Sequence, residues 1–234
     1  MKISSNIKLI QRNKKISQII LFASLGFLII GLIWSFTSTD ASQTTLSYAI
    51  LMPAYILVQI SIYMANRWGR SPRPDEIIEQ SLKGLNNQFT LYNYTTGVSH
   101  LLVGPSGVII IKPYHHTGEI TYNPEKERFE QKGGPNFIAK LFAQESLPNI
   151  ARETRLLIHD FQKYVSNNNL EIPYEPEIIN VFYSEKADVH TRQAPNITTH
   201  ADKLKDAVRS QAKQKNLRHG ETDMIRDQLP KANV

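Results

Sequence analysis

Residues 98–120 read VSHLLVGPSGVIIIKPYHHTGEI. Val98 to Val103 has the composition of a strand, and Gly104-Pro105-Ser106-Gly107 supplies a turn. Val108 to Ile111 is a continuous β-branched run, as in a strand buried on both faces. Two such runs separated by a four-residue Gly/Pro turn predict a β-hairpin.

On the N-terminal side, Gln88 to Tyr94 alternates Phe89, Leu91 and Asn93 against Thr90, Tyr92 and Tyr94, which predicts a further strand. Before it, Asp75 to Leu85 places Ile78, Leu82 and Leu85 on one helical face, with Pro74 and the acids Asp75, Glu76 and Glu79 in the first turns. On the C-terminal side, Glu119 to Tyr122 and Arg128 to Gln131 are weaker strands, joined by a Pro-Glu-Lys-Glu turn and ended by Gly133-Gly-Pro135. A long helix follows. Ser146 is its expected N-cap and Pro148 lies in its first turn; Ile150, Thr154, Leu157, Phe161 and Val165 mark its apolar face. Ile178 to Tyr183 predicts another buried strand. Thr199 with Asp202 opens a last helix, with Leu204, Ala207 and Val208 inward. From Asn216 the chain is polar and is expected to fray. Helix, strands, helix, strand, helix is an α/β order with a mixed, partly antiparallel sheet.

Upstream, Ile19 to Phe36 (IILFASLGFLIIGLIWSF) is an uncharged run of 18 residues. As a helix it spans about 27 Å, close to the hydrocarbon thickness of a bilayer. Leu46 to Ala65 is a second uncharged run, with Pro53 inside it, which membrane helices tolerate. Trp34, Tyr63 and Trp68 sit near the ends, where aromatic rings favour the interface. The link Thr37–Thr45 has no Lys or Arg, whereas Arg12, Lys14 and Lys15 flank one helix and Arg67, Arg70 and Arg73 the other. The positive-inside rule then predicts a two-pass hairpin in the cell membrane with both termini cytoplasmic. A cleaved signal peptide fits less well, because the run exceeds 7–15 residues and lacks a small-residue cleavage site.

The net charge of +6 and pI of 9.4 invite a nucleic-acid reading. Yet residues 1–73 hold eight basic residues and one acid, while residues 74–234 hold 19 basic and 20 acidic. The basicity belongs to the membrane flanks, and the soluble part has no phosphate-binding footprint as a whole. Absence of cysteine excludes disulfides, Cys-ligated zinc and Cys-based catalysis.

The strand–turn–strand segment resembles the nuclease-related domain (NERD) family, within the restriction-endonuclease-like PD-(D/E)xK superfamily. The matching skeleton is His100, Leu101-Leu-Val103, Gly104-Pro-Ser-Gly-Val108, Ile109-Ile-Ile111 and Gly118-Glu-Ile120, with Glu79 near the family's helical acid. The likeness covers roughly Asp75 to Ala212 in element order and about 25 residues at motif level. It implies a restriction-endonuclease-like mixed sheet flanked by helices. In the family, strand acids hold a hard divalent cation such as Mg²⁺ and a Lys orients the attacking water. Here Ser99 stands at the Asp position, Lys112 at the Glu position and Tyr114 at the Lys position. The motif-equivalent set, Glu79, Ser99, His100, Lys112 and Tyr114, therefore lacks both strand acids and the Lys. The expectation is a membrane-anchored binding or scaffolding module with no metal and no cofactor. The alternatives are a divergent Mg²⁺-dependent nuclease acting on DNA or RNA, with acids recruited from Glu76, Glu79 or Glu119, and a structural membrane protein without ligand.

Other clusters read as structural. His115 and His116 are adjacent, so on an extended chain they point to opposite faces; they are expected to be exposed loop histidines. Gly104–Gly107 and Gly133-Gly134 lack phosphate-loop spacing. Lys203, Lys205, Arg209, Lys213, Lys215 and Arg218 form a basic stretch that suits anionic lipid headgroups or a solvated helix face. The expected partner is the lipid bilayer; nucleic acid has weak support. The sequence divides into a basic N-terminus 1–17, a hairpin 18–66 (helices about 19–36 and 46–65), a linker 67–74, a NERD-like domain 75–214 and a flexible tail 215–234.

Overall fold

A computed structural model of the chain describes residues 1–37, 41–134, 147–215 and 217–231. The described residues form two compact units: one holds Ile7–Arg73, the other Met1–Asn6 and the described residues from Pro74 onward.

In the first unit, α1 (Ile7–Thr37) and α2 (Ala41–Met64) pack along each other, and a π-helical turn (Ala65–Gly69) follows α2. Both helices are long and apolar enough to cross a membrane, and only 11% of each apolar window is buried. A core helix of a soluble protein would bury most of such a window. Small residues let the helices approach: Ser17, Ser24, Ala54 and Ser61 are buried, and a methyl group on Gly31 would lie 2.7 Å from Leu51. α1 starts twelve residues before the expected 19, because Lys, Arg and Gln are good helix formers and the polar flank continues the helix.

The second unit is α/β. Its elements are β1 (Lys2–Ser5), α3 (Pro74–Ser81), β2 (Thr90–Asn93), β3 (His100–Gly104), β4 (Gly107–Tyr114), β5 (Gly118–Asn123), β6 (Arg128–Lys132), α4 (Ile150–Asn167), β7 (Glu177–Phe182), β8 (Ala187–His190), β9 (Ile197–His200), α5 (Leu204–Lys215) and α6 (His219–Gln228). Among the described residues, the main sheet has the order β1-β2-β3-β4-β7-β9 and a smaller one β6-β5-β8. β2, β3 and β4 run antiparallel in turn, while β7 is parallel to β4. The predicted hairpin pairs Leu101 with Ile110 and Gly104 with Gly107. Its turn needs Gly107 because φ there is +89°.

Alternation along β4 assigns the two faces. Ile109 and Ile111 join Leu91, Leu102, Ile179 and Val181 under α3 and α5. Val108 and Ile110 join Tyr92, Leu101, Val103 and Ile178 under α4 and α6. Tyr114, Ile150 and Phe182 form a third cluster reaching Ile120 of the small sheet.

Four boundaries differ from expectation. The segment 1–17 is not merely a basic terminus: Lys2–Ser5 pairs in parallel with β2 as an edge strand. One isoleucine between small polar residues gives no readable alternation. The stretch 215–234 is not a flexible tail: α6 buries Ile225, and Leu229 follows it into the same cluster. Glu221 fixes the start of α6 by accepting from the Arg218 amide at 2.8 Å. The long helix is capped by Asn149, whose side chain accepts from the Arg152 amide at 3.0 Å; the expected cap Ser146 lies outside the described residues. Thr199, expected to open the last helix, instead lies in β9, because His200 caps the short 3₁₀ turn Ala201–Lys203 ahead of α5.

Candidate functional site

The five motif-equivalent residues do not meet at one point; four of them fall into two clusters on opposite faces of the main sheet. On the α3 face, His100 pairs with Asn93 across β2 and β3. Asn93 donates from Nδ2 to Glu79 Oε1 at 2.7 Å and to Ser5 Oγ at 3.3 Å. A carboxylate only accepts, so the amide oxygen of Asn93 must face His100, whose Nδ1 lies 2.9 Å away. That geometry places a hydrogen on His100 Nδ1. Asn93 and His100 are fully buried, and Tyr94 meets the imidazole edge-on at 5.0 Å. Sequence reasoning placed Asn93 beside Leu91 on one strand face without assigning it a role. Its part in joining Glu79 to His100 comes from cross-strand register, which no local pattern carries.

On the α4 face, Lys112 and Tyr114 are two residues apart on β4 and so share one side. Both converge on a residue the motif did not include, Glu153 in the first turn of α4. Tyr114 donates its hydroxyl to Glu153 Oε2 at 2.7 Å. Lys112 Nζ lies 3.5 Å from the same oxygen and 5.6 Å from the Tyr114 ring centroid. Tyr114 is buried and stacks on Phe182 at 5.2 Å. Burial, reinforced by the Glu153 charge, pushes the Tyr114 hydroxyl well above the ordinary phenol range. Lys112 and Glu153 keep 28% and 32% of their side-chain surface exposed. Glu153 was legible only as the residue three after Ile150 on the predicted helix.

Beside this cluster, Asn180 is paired with Lys112 across β4 and β7 and donates to Thr198 Oγ1 at 3.2 Å. Among the described residues, Asn180 Oδ1 and Thr154 Oγ1 are buried without a hydrogen-bond partner. Ser99 is half-buried just before β3, and its carbonyl accepts from the Tyr94 amide at 2.8 Å.

A hard cation such as Mg²⁺ does not fit the Lys112–Tyr114–Glu153 cluster. It requires several oxygen ligands with free lone pairs. One carboxylate stands here, and one of its oxygens already faces an ammonium and accepts a hydroxyl. Among the described residues no group of three or more His, Asp or Glu is placed to hold a metal ion. His115 and His116 depart from their expectation. They lie just past β4 with their rings 5.0 Å apart, and His116 is buried.

The basic stretch of α5 is partly engaged within the fold. Lys205 Nζ and Arg209 Nη2 donate to the carbonyls of Lys83 and Gly84 just past α3, at 3.3 and 3.2 Å, and Lys215 pairs with Glu177.

The architecture is thus an α/β domain with a mixed sheet, joined in one chain to two helices of membrane-spanning length and apolarity. No protein-family model, curated protein or solved structure matches this chain.

Proposed function

We propose that this is a two-pass membrane protein whose cytoplasmic NERD-like domain is catalytically inactive and serves as a binding or scaffolding module. The observation that carries the reading is the Glu153 carboxylate. On the strand where the resemblance would place a metal-binding acid and a Lys, Lys112 and Tyr114 instead turn towards Glu153 and occupy it. The order α3–β2–β3–β4–α4–β7 supports the resemblance, since it is the element order on which the resemblance rests. β1 supports the topology: residues before α1 and residues after the π-turn belong to one folded unit, so a spanning hairpin must return the chain to the side it left. The cations at those flanks support a cytoplasmic side for that unit, by the positive-inside rule.

The test is nuclease activity of the purified full-length chain in detergent, on single- and double-stranded DNA and RNA with Mg²⁺ or Mn²⁺. No cleavage above a buffer blank is expected. Robust cleavage lost in Glu153→Ala or Glu79→Ala refutes the inactive reading and favours the divergent nuclease.

A further inference from the structure

The outward face of α4 carries cations that the fold leaves uncompensated. Arg152, Arg155, His159 and Lys163 are exposed, and Leu156 among them keeps 52% of its surface in solvent. At 3.6 residues per turn these five fall within about 100° of arc, opposite the buried Thr154 and Phe161. The stripe runs about 16 Å along the helix from Arg152 to Lys163. Among the described residues, Arg152, Arg155 and Lys163 have neither an ion pair nor a side-chain hydrogen bond. The two acids of α4 do not answer them. Glu153 is occupied by Tyr114 and Lys112. Asp160 stands at the edge of the stripe, its Oδ1 3.6 Å from His159 Nδ1.

The placement also runs against helix electrostatics. A cation in the first turns opposes the macrodipole, so Arg152 and Arg155 weaken α4 and do not support it. Residues 74–234 hold 20 acidic against 19 basic residues, which makes the stripe a local segregation of charge. On α5, by contrast, Lys205, Arg209 and Lys215 each have a partner.

Uncompensated cations on successive turns match a partner with anions at the same spacing. Leu156 decides which anions. A nucleic-acid backbone offers its phosphates and sugars, and no apolar contact for an exposed leucine. A helix lying on a bilayer needs a broad apolar face, and Leu156 is the one exposed large apolar side chain of α4 among the described residues. A protein helix with acids on successive turns and an apolar side chain between them meets both features.

We propose that the α4 face of Arg152, Arg155, Leu156 and Lys163 docks an acidic, leucine-bearing helical segment of a partner protein. The inference rests on the binding-module reading and gives that module its surface.

The experiment uses the full-length chain in a non-ionic detergent and the fluorescence anisotropy of a labelled synthetic peptide of Glu-Ala-Leu-Glu-Glu-Leu-Ala repeats. Binding is saturable and weakens roughly twofold to fivefold for each cation removed in Arg152→Gln, Arg155→Gln and Lys163→Gln. Leu156→Asn leaves the charge unchanged and weakens binding roughly fivefold. Lys203→Gln/Lys213→Gln removes as much charge as Arg152→Gln/Arg155→Gln and leaves binding unchanged. Absence of saturable binding overturns the inference. So does an equal loss in the α5 variant, or an unchanged affinity in Leu156→Asn. Displacement of the peptide by an equal concentration of a thymidine oligonucleotide or of short-chain phosphatidylglycerol also overturns it, by assigning the stripe to nucleic acid or to lipid. The nuclease assay separates the two levels. Cleavage with peptide binding intact sinks the inactive reading alone, whereas an inactive chain that ignores the peptide sinks the docking face alone.

Discussion

The hydroxyl of Tyr114 and the carboxylate of Glu153 meet at 2.7 Å, joining β4 to the first turn of α4. The bond ties together two elements almost forty residues apart in sequence, over the stacked Tyr114–Phe182 pair. Glu153→Ala leaves a buried hydroxyl without an acceptor and Lys112 without its counter-charge, and should cost about 1–3 kcal/mol of stability. Glu153→Gln keeps an acceptor and should cost less, because the partly exposed Lys112 contact is worth little by itself. Denaturant unfolding of the full-length chain in detergent checks the order; equal losses for the two substitutions would contradict it.

Tyr92 and Tyr114 predict a loss of stability in alkali. Burial pushes the Tyr92 hydroxyl up to about 12, against the countervailing charge of Arg226, and Tyr114 is raised further. Above pH 10 the unfolded chain releases these protons while the folded chain keeps them. The unfolded state then binds fewer protons, so stability falls as pH rises. The slope approaches about 1.4 kcal/mol per pH unit for each tyrosine between 10 and its folded value. Tyr92→Phe should make the decline between pH 10 and 12 shallower by about one such slope. Unfolding free energies at half-unit intervals of pH would measure it.

Ile225 and Leu229 predict that the C-terminal stretch is integral to the domain. Both are buried with Tyr92, Leu101, Val103 and Phe161. Ile225→Ala or Leu229→Ala should each cost about 2–4 kcal/mol. A stop codon after Lys215 should expose the cluster and give a protein that melts lower or aggregates. A truncated chain melting at the full-length temperature would return this stretch to the status of a tail.

What the residues disclosed follows from the range of the forces involved. The runs Ile19–Phe36, Leu46–Ala65, Val108–Ile111 and Ile178–Tyr183 are written in local composition; the first and third reappear within one element, and the other two overrun α2 and β7 by one residue. The hairpin at Gly104–Gly107 is written in turn chemistry, since only glycine adopts the φ of +89° without strain. Of the elements missed, β1, β8 and β9 are four-residue strands with no fully buried apolar side chain, α6 buries Ile225, and all owe their order to contacts with distant elements. The site divides in the same way. Lys112 and Tyr114 were legible as motif positions directly after the apolar run Val108–Ile111. Asn93 and Glu153 were not, because cross-strand register and helix placement bring them to His100 and Tyr114. The split of the motif-equivalent set between two faces follows from one parity: Ile111 turns towards α3 and Lys112 towards α4.

Asn93 gives the sharpest test of the buried network on the α3 face. Its amide gives a hydrogen to Glu79 with one end and accepts from His100 with the other. Asn93→Asp has the same shape but no Nδ2 donor, and sets a second carboxylate against Glu79 Oε1. Two carboxylates in contact, one buried and one half-buried, repel each other when both are ionised, so one takes up a proton more readily and its pKa rises. A raised folded-state pKa favours folding below the unfolded carboxylate value and loses that contribution as pH climbs through the folded one. Asn93→Asp should therefore be strongly destabilised at pH 7.5, by about 2–4 kcal/mol. It should recover much of that deficit relative to the parent chain near pH 4.5. Asn93→Leu lacks both hydrogen-bonding ends and should show a deficit with no such recovery. Parallel unfolding of the three proteins at both pH values decides the matter, and an Asp deficit independent of pH would mean that Glu79 and Asn93 do not touch.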